Sequence, residues 1–320
     1  MRRGSTARVL VLHLGIVGLL LAAQFVLPPY HHTNAARIMV FAAYAIGYNV
    51  LLGYTGLMSL GHAMFFAAGL YGAGLPVYYL DFGAVEAFGL GIVASLLLAV
   101  AFGLIVLRTS GVSFLIVTLM FAQAGFLATL YFNEITLGDQ GLVLSSKLGP
   151  LHLFGAELAF ADPDVKYNAA LLVFALCLLA SLALVRSPLG RVLIAIRENE
   201  ARTRMLGYNT FTYKFLSLVI SGTIAGAAGA SYALLFSYVG STFASIQYSI
   251  YPLLWTLLGG VGTMLGPILG TALMFYLVDL SSEVTSSYLL VVGAVLVMLI
   301  LWFPRGIMGT IRARWIPWLP

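Results

Sequence analysis

Ten apolar runs follow one another along this chain, at 9–27, 36–52, 57–80, 84–107, 112–132, 168–185, 214–237, 247–258, 266–279 and 287–303. A helix needs about 20 apolar residues to cross a bilayer, and most of these runs have that length. With 61% hydrophobic and 8% charged residues, the chain has too little polar surface to cover a soluble core. The pattern predicts an all-α, polytopic, multi-pass transmembrane protein. Its single membrane domain covers residues 1–320, with about eight full spans plus glycine-broken hairpins, or up to ten membrane helices. Arg2, Arg3 and Arg8 precede the first run. That run is too long for the apolar part of a signal peptide and ends at Pro28-Pro29 without a small-x-small cleavage site, so it reads as a retained span.

Two glycine-rich breaks divide neighbouring runs. One is Gly53-Tyr54-Thr55-Gly56, followed by Ser59-Leu60-Gly61-His62; the other runs from Gly259 to Pro267. The runs 247–258 and 266–279 are too short to be two independent full crossings, so each broken pair is expected to form a hairpin. Backbone freed at membrane depth is tolerated only where it is buried in protein or lines a polar cavity. Broken helices offer N-terminal dipoles to a carboxylate and carbonyls to an ammonium, which suits a zwitterion such as an amino acid. Gly56, Ser59, Gly61, His62, Gly259, Gly260 and Gly262 are therefore candidates for a solute pathway. The competing reading is that the glycines serve close helix packing and that His62 bonds the loosened backbone. Asp139 and Gln140, in the turn Thr136–Gly141, join the candidates as a vestibule element or serve as an ordinary capped turn. Arg37, at the outer end of its span, is expected to snorkel to the interface. Small residues at Gly222, Gly226 and Ala230, and at Gly69 and Ala73, mark faces for close helix approach.

The charges are segregated. With both termini on the cytoplasmic side, thirteen of the 16 Lys and Arg residues face the cytoplasm, as loops near membrane spans should. The acidic residues lie outside except Glu198 and Glu200. The net charge of +5 is thus a record of topology and gives no sign of nucleic-acid binding. An outer-surface segment is expected at 134–166, packed over the mouth of the bundle.

The longest polar interruption is 187–213. Ser187 can cap a helix with Pro188 in its first turn, running through Ile196 to Leu206 and stopped by Gly207. Glu198 with Arg202, and Glu200 with Arg204, are i,i+4 pairs in the favourable order; Val192, Leu193 and Ile196 form an apolar edge. Such a helix is built to touch a partner, and Arg191, Arg197, Glu198, Glu200, Ala201, Arg204 and Gly207 are its candidate coupling residues.

Several classes are excluded. No GxxxxGK[ST] phosphate loop is present, no Ser or Thr in a span has a neighbouring carboxylate–His pair, and the single Cys177 rules out a multi-cysteine metal site. No catalytic residue, metal or cofactor is expected. Mid-span Asp, Glu, Lys and Arg are nearly absent, against a proton- or sodium-coupled carrier.

Four segments in order carry a resemblance: GYTGLMSLGHAMFFAAGLYGAGL (53–75), RSPLGRVLIAIRENEARTRMLGYNTFTYKFLSLVISGTIAGAAGASYA (186–233), LLGGVGTMLGPILGTAL (257–273) and FPRGIMGTI (303–311). They resemble the inner-membrane permeases of branched-chain amino-acid (Liv-type) ABC transporters, M-type subunit, over nearly the whole chain. The resemblance implies an ABC importer of branched-chain or other hydrophobic amino acids. It also implies a second homologous permease subunit, two cytoplasmic ATPase subunits that carry the enzymatic activity, and a periplasmic solute-binding protein. The polar loop takes the place of the EAA-type coupling motif, with Glu200, Ala201 and Gly207 as its Glu, Ala and Gly; Arg202 stands where the motif has its second Ala. The outer turn reads TLGDQGL where a GGSDGL-like run is expected, and relatives also move urea, short amides or aromatic acids.

Overall fold

The structure, a computed structural model, describes residues 3–149, 151–153, 156–160 and 162–315. Arg2 and parts of the 134–166 segment lie outside the described residues, as do the side chains of Arg3 and Glu157.

Each of the ten apolar runs becomes a helix. In order these are α1 (Arg3–Ala23), α2 (Pro29–Asn49), α3 (His62–Leu80), α4 (Ala84–Val106) and α5 (Val112–Tyr131); then α7 (Pro163–Arg186), α10 (Thr210–Phe236), α11 (Ile246–Gly259), α12 (Gly266–Val284) and α13 (Tyr288–Trp302). Between them lie short elements: α6 (Asn133–Thr136), β1 (Leu142–Val143), β2 (Leu151–Leu153), β3 (Ala156–Leu158), α8 (Pro188–Glu198), α9 (Glu200–Met205), β4 (Tyr238–Val239) and α14 (Ile307–Arg314). Among the described residues, seven helices are long and apolar enough to cross a membrane, one of them the 25-residue stretch formed by α2 and its following π-turn (Val50–Tyr54).

The spans divide into a core and a periphery. The apolar windows of α2 and α10 are each 78% buried, against 17% for α5 and 22% for α12. Among lipid-like solvents no hydrophobic drive brings helices together, so close van der Waals fit and interhelical hydrogen bonds must do it. The small-residue faces supply that fit by meeting each other. A Cβ on Gly69 would overlap the Gly226 carbonyl of α10, and one on Gly229 would overlap the Phe66 carbonyl of α3. Ser95 Oγ of α4 donates to the Gly222 carbonyl at 2.8 Å. The core of the bundle is therefore α3 and α10 in near-backbone contact, with α2 and α4 on their flanks.

Both ends of α10 are tied. At one end β4 pairs antiparallel with β1, Leu142 opposite Val239 and Val143 opposite Tyr238; a second hairpin pairs β2 with β3. At the other end lies the Arg-rich loop. The 27 residues of α10 separate this ribbon end from the loop end by about 40 Å.

The loop departs from the single helix expected over 187–206. Ser187 caps α8 as anticipated, accepting from Gly190 N at 3.3 Å, but the helix ends at Glu198. Asn199 turns extended (φ −162°, ψ 99°) and its side chain accepts from Arg202 N at 2.9 Å, capping the separate helix α9. An Asn side chain competes for local backbone donors and so favours this cap over a helix interior. The break removes the i,i+4 geometry between Glu198 and Arg202, and Glu198 pairs instead with Arg197 at 2.9 Å. The Glu200–Arg204 pair forms as expected, at 3.2 Å, and Gly207 closes the segment at φ +89°.

Candidate coupling site

The loop end is built around Arg197, on the last turn of α8. Its apolar neighbours Val192, Leu193 and Ile196 are buried, so this apolar edge seats α8 on the bundle. That seating aims Arg197 inward, where Nη1 donates to the Gly53 carbonyl, in the π-turn after α2. A Cβ on Gly56 (φ +79°) would lie 2.8 Å from Arg197 Cγ, and one on Gly262 (φ +70°) 2.7 Å from Arg197 Nη1. Only glycine combines this left-handed backbone with this lack of bulk. One guanidinium thus sits against both glycine breaks.

The breaks are also joined directly. Asn49 Nδ2 donates to the Thr263 carbonyl at 2.9 Å, and Gly262 N donates to Asn49 Oδ1 at 3.0 Å. A single buried amide satisfies both polarities of the second break, across more than 200 residues of sequence. Arg312, on α14, donates to the Gly262 carbonyl at 3.1 Å. Two backbone groups of the first break are stitched inward: Tyr48 Oη donates to the Ser59 carbonyl at 2.9 Å, and Leu60 N to Thr118 Oγ1 at 3.0 Å.

Glu200 is the second node. Its carboxylate accepts from Lys214 Nζ at 2.5 Å, Thr210 Oγ1 at 3.0 Å and Arg204 Nη2 at 3.2 Å, fastening α9 to the first turn of α10. Partial burial works against its charge, but the Lys214 ammonium, with Thr210 and Arg204, outweighs it and holds the carboxyl below its usual value. A lowered folded pKa means that the clasp is complete above the unfolded value, about 4.3, and is lost as pH falls through the lower folded one. A spin label at the exposed Met205 position is expected to stay ordered from neutral pH down through the ordinary carboxylate range, about 4.3, and to become mobile only as pH falls further. In Glu200→Gln that acid step should vanish; a step that persists would place the titrating group elsewhere.

The candidate pathway residues do not form one site. Gly56, Gly260 and Gly262 gather at the loop end, a Cβ on Gly260 lying 2.7 Å from Gly309 N. Gly259 packs on Gly266, and Gly61 on the Thr118 carbonyl. Ser59 and His62 are buried. His62 Nε2 lies 2.8 Å from Ser221 Oγ, whose own proton goes to the Gly47 carbonyl at 2.6 Å. The hydroxyl has one proton to give, so it accepts from His62 Nε2–H, and the histidine ties α3 to α10 and α2. Asp139 and Gln140 lie at the opposite, ribbon end: Asp139 Oδ1 accepts from Ser241 Oγ at 3.0 Å, and the Gln140 carbonyl from Tyr238 Oη at 3.5 Å.

Of the remaining coupling candidates, Arg191 and Ala201 are exposed on α8 and α9. Two residues beyond that set stand out: Met205 and Leu206 are 87% and 70% exposed at the tip of the loop. Two adjacent large apolar side chains with no intramolecular cover, flanked by arginines, are what a docking knob looks like. Asn49 escaped notice too, although a lone amide inside an apolar run just before a glycine break was its visible signal.

The description "Branched-chain amino acid transport system / permease component" matches residues 32–301. The chain belongs to that permease family. It is 28% identical to the high-affinity branched-chain amino acid transport system permease protein LivM of Salmonella typhimurium and 29% to that of Escherichia coli, each over 97% of this chain and 77% of the relative. It is also 25% identical to the LivH permease of the Salmonella system, over 84% of this chain and 91% of the relative. No solved structure gives a significant match. Within this permease, the segments that carry the sequence resemblance are those that meet at Arg197, Asn49 and Gly260 or that form the α3–α10 seam.

Proposed function

We propose that this permease is one half of the membrane pathway of a bacterial ABC importer for branched-chain amino acids, working by alternating access in the inner membrane with both termini cytoplasmic. It pairs with a second, homologous permease subunit; two ATPase subunits bind the loop end and a periplasmic solute-binding protein docks at the ribbon end. The similarity to both LivM and LivH supports a pair of related permeases. The observation that carries the reading is the position of Arg197: a side chain from the Arg-rich loop is in contact with both helix breaks at once. Motion imposed on α8 and α9 by a nucleotide-driven partner therefore reaches α2, α11 and α12 without passing through a soft joint. Met205 and Leu206 insert into a cleft on the ATPase, the helix-in-groove mode of docking.

The test is co-expression of this chain with its genomic neighbours, followed by affinity purification and assay of solute-stimulated ATP hydrolysis. A stable assembly stimulated by leucine, isoleucine or valine is expected. Stimulation by urea, an amide or an aromatic acid alone would keep the coupling and replace the solute. Solute flux through the purified chain in liposomes without ATP would overturn the reading. Met205→Asp, Glu200→Arg and Gly207→Pro are each expected to lose the ATPase subunits from the purified complex while the two permeases stay together. Full ATPase recruitment in all three would remove the loop from the docking role.

A further inference from the structure

At the ribbon end, α2, α11, α12 and α13 line a partly open cavity of about 490 Å³ that none of the sequence-derived candidates lines. That volume falls within the range of small-ligand sites. Its wall is apolar and aromatic, with Phe41, Tyr251, Trp255 and Met274 prominent, and it holds one cation, Arg37, and one carboxylate, Asp279.

The arginine is the anomaly. The sequence suggested a snorkelling residue at the end of its span, but α2 begins at Pro29, which puts Arg37 about 12 Å along the helix. Its guanidinium lies 5.1 Å from the centroid of the Phe236 ring, its Nε is buried without a hydrogen-bond partner, and no carboxylate lies within ion-pair distance among the described residues. A guanidinium stays charged at any physiological pH, and a charge inside a span marks a functional site unless something pairs with it. Asp279 is only lightly engaged: Tyr30 Oη donates to its Oδ2 at 3.3 Å. Asp279 lies nearer the ribbon end and Arg37 deeper, and Tyr251 and Trp255 stack with centroids 5.8 Å apart along the wall.

We propose that this cavity binds a small zwitterion with an apolar side chain, an α-amino acid, with Arg37 taking its carboxylate, Asp279 its ammonium and the aromatic wall its side chain. It is a solute site inside one subunit, and it rests on the reading of the chain as an amino-acid permease. The two break regions then serve coupling alone.

The experiment is equilibrium binding of tritiated L-leucine to the purified full-length chain in phosphatidylcholine nanodiscs, with leucinamide and 4-methylpentanoate as competitors. Saturable leucine binding is expected, with leucinamide (no carboxylate) and 4-methylpentanoate (no ammonium) each competing at least about tenfold more weakly, the worth of one charge-assisted hydrogen bond. Arg37→Gln should weaken leucine binding by a similar factor and erase the preference for leucine over leucinamide; Asp279→Asn should do the same for 4-methylpentanoate. The competitor comparison uses the unaltered protein and so stands even if a variant fails to fold. No saturable binding at millimolar leucine, equal competition by all three compounds, or a tightly held phospholipid that leucine does not displace would each overturn the site. If leucine binds through Arg37 but the assembled transporter responds only to another solute, the site survives and the transport reading falls. If the assembly moves leucine while binding is indifferent to Arg37 and Asp279, the transport reading survives and the site falls.

Discussion

Arg197→Ala is expected to reduce leucine uptake at least about tenfold while the full complex still assembles and still hydrolyses ATP. The guanidinium supplies a charge-assisted hydrogen bond to the Gly53 carbonyl, a class of bond worth roughly 1.5–3 kcal/mol, and alanine supplies neither the donor nor the bulk that fills the space beside Gly56 and Gly262. The direct link between the breaks through Asn49 remains, so the fold should hold. The Glu200 clasp and the Met205–Leu206 tip also remain, so ATPase subunits should still bind. What disappears is the connection between them: hydrolysis should continue but lose its response to solute. Arg197→Lys should not rescue, because an ammonium on a flexible stem cannot hold the planar contact made here. Solute-stimulated hydrolysis at the wild-type level in Arg197→Ala would show that motion travels by another path.

The second large effect is structural. Gly69→Ala is expected to abolish the monodisperse folded peak in detergent, because the added methyl would occupy the position of the Gly226 carbonyl. Overpacking against side chains costs about 1–3 kcal/mol; here the obstacle is backbone, and α3 and α10 must separate along their length. Gly89→Ala is the control: it is an α4 glycine whose added Cβ meets nothing within 4 Å, and it should purify like the wild type. Equal behaviour of the two variants would show that the α3–α10 seam is looser than described.

Much of the architecture could be read directly from the chain, because length and apolarity report on each helix separately. All ten apolar runs became helices, and the stripes at Gly69 and at Gly222–Ala230 could be recognised from spacing alone. The site was harder, for three physical reasons. Helical periodicity shows which residues share a face but not whether that face looks inward or outward, so it could not tell that Val192, Leu193 and Ile196 are buried while Met205 and Leu206 are exposed. Local propensity near a strong i,i+4 charge pattern hid the stop at Asn199, whose side chain prefers to cap. Contacts that span more than 200 residues, such as Asn49 with Gly262 and Thr263, leave no mark in any local window, so the two breaks were recognised as a pair without the amide that joins them.

The seam along α10 fixes more than stability. Because backbone meets backbone at Gly226 and Gly229, and both ends of the helix are tied, by Lys214 to Glu200 and by β4 to β1, one inserted residue in its middle would turn everything beyond it by about 100° and shift it by about 1.5 Å. The glycines would then face away from α3, or the ribbon would lose its register. The rod between the loop and the ribbon has one permitted length.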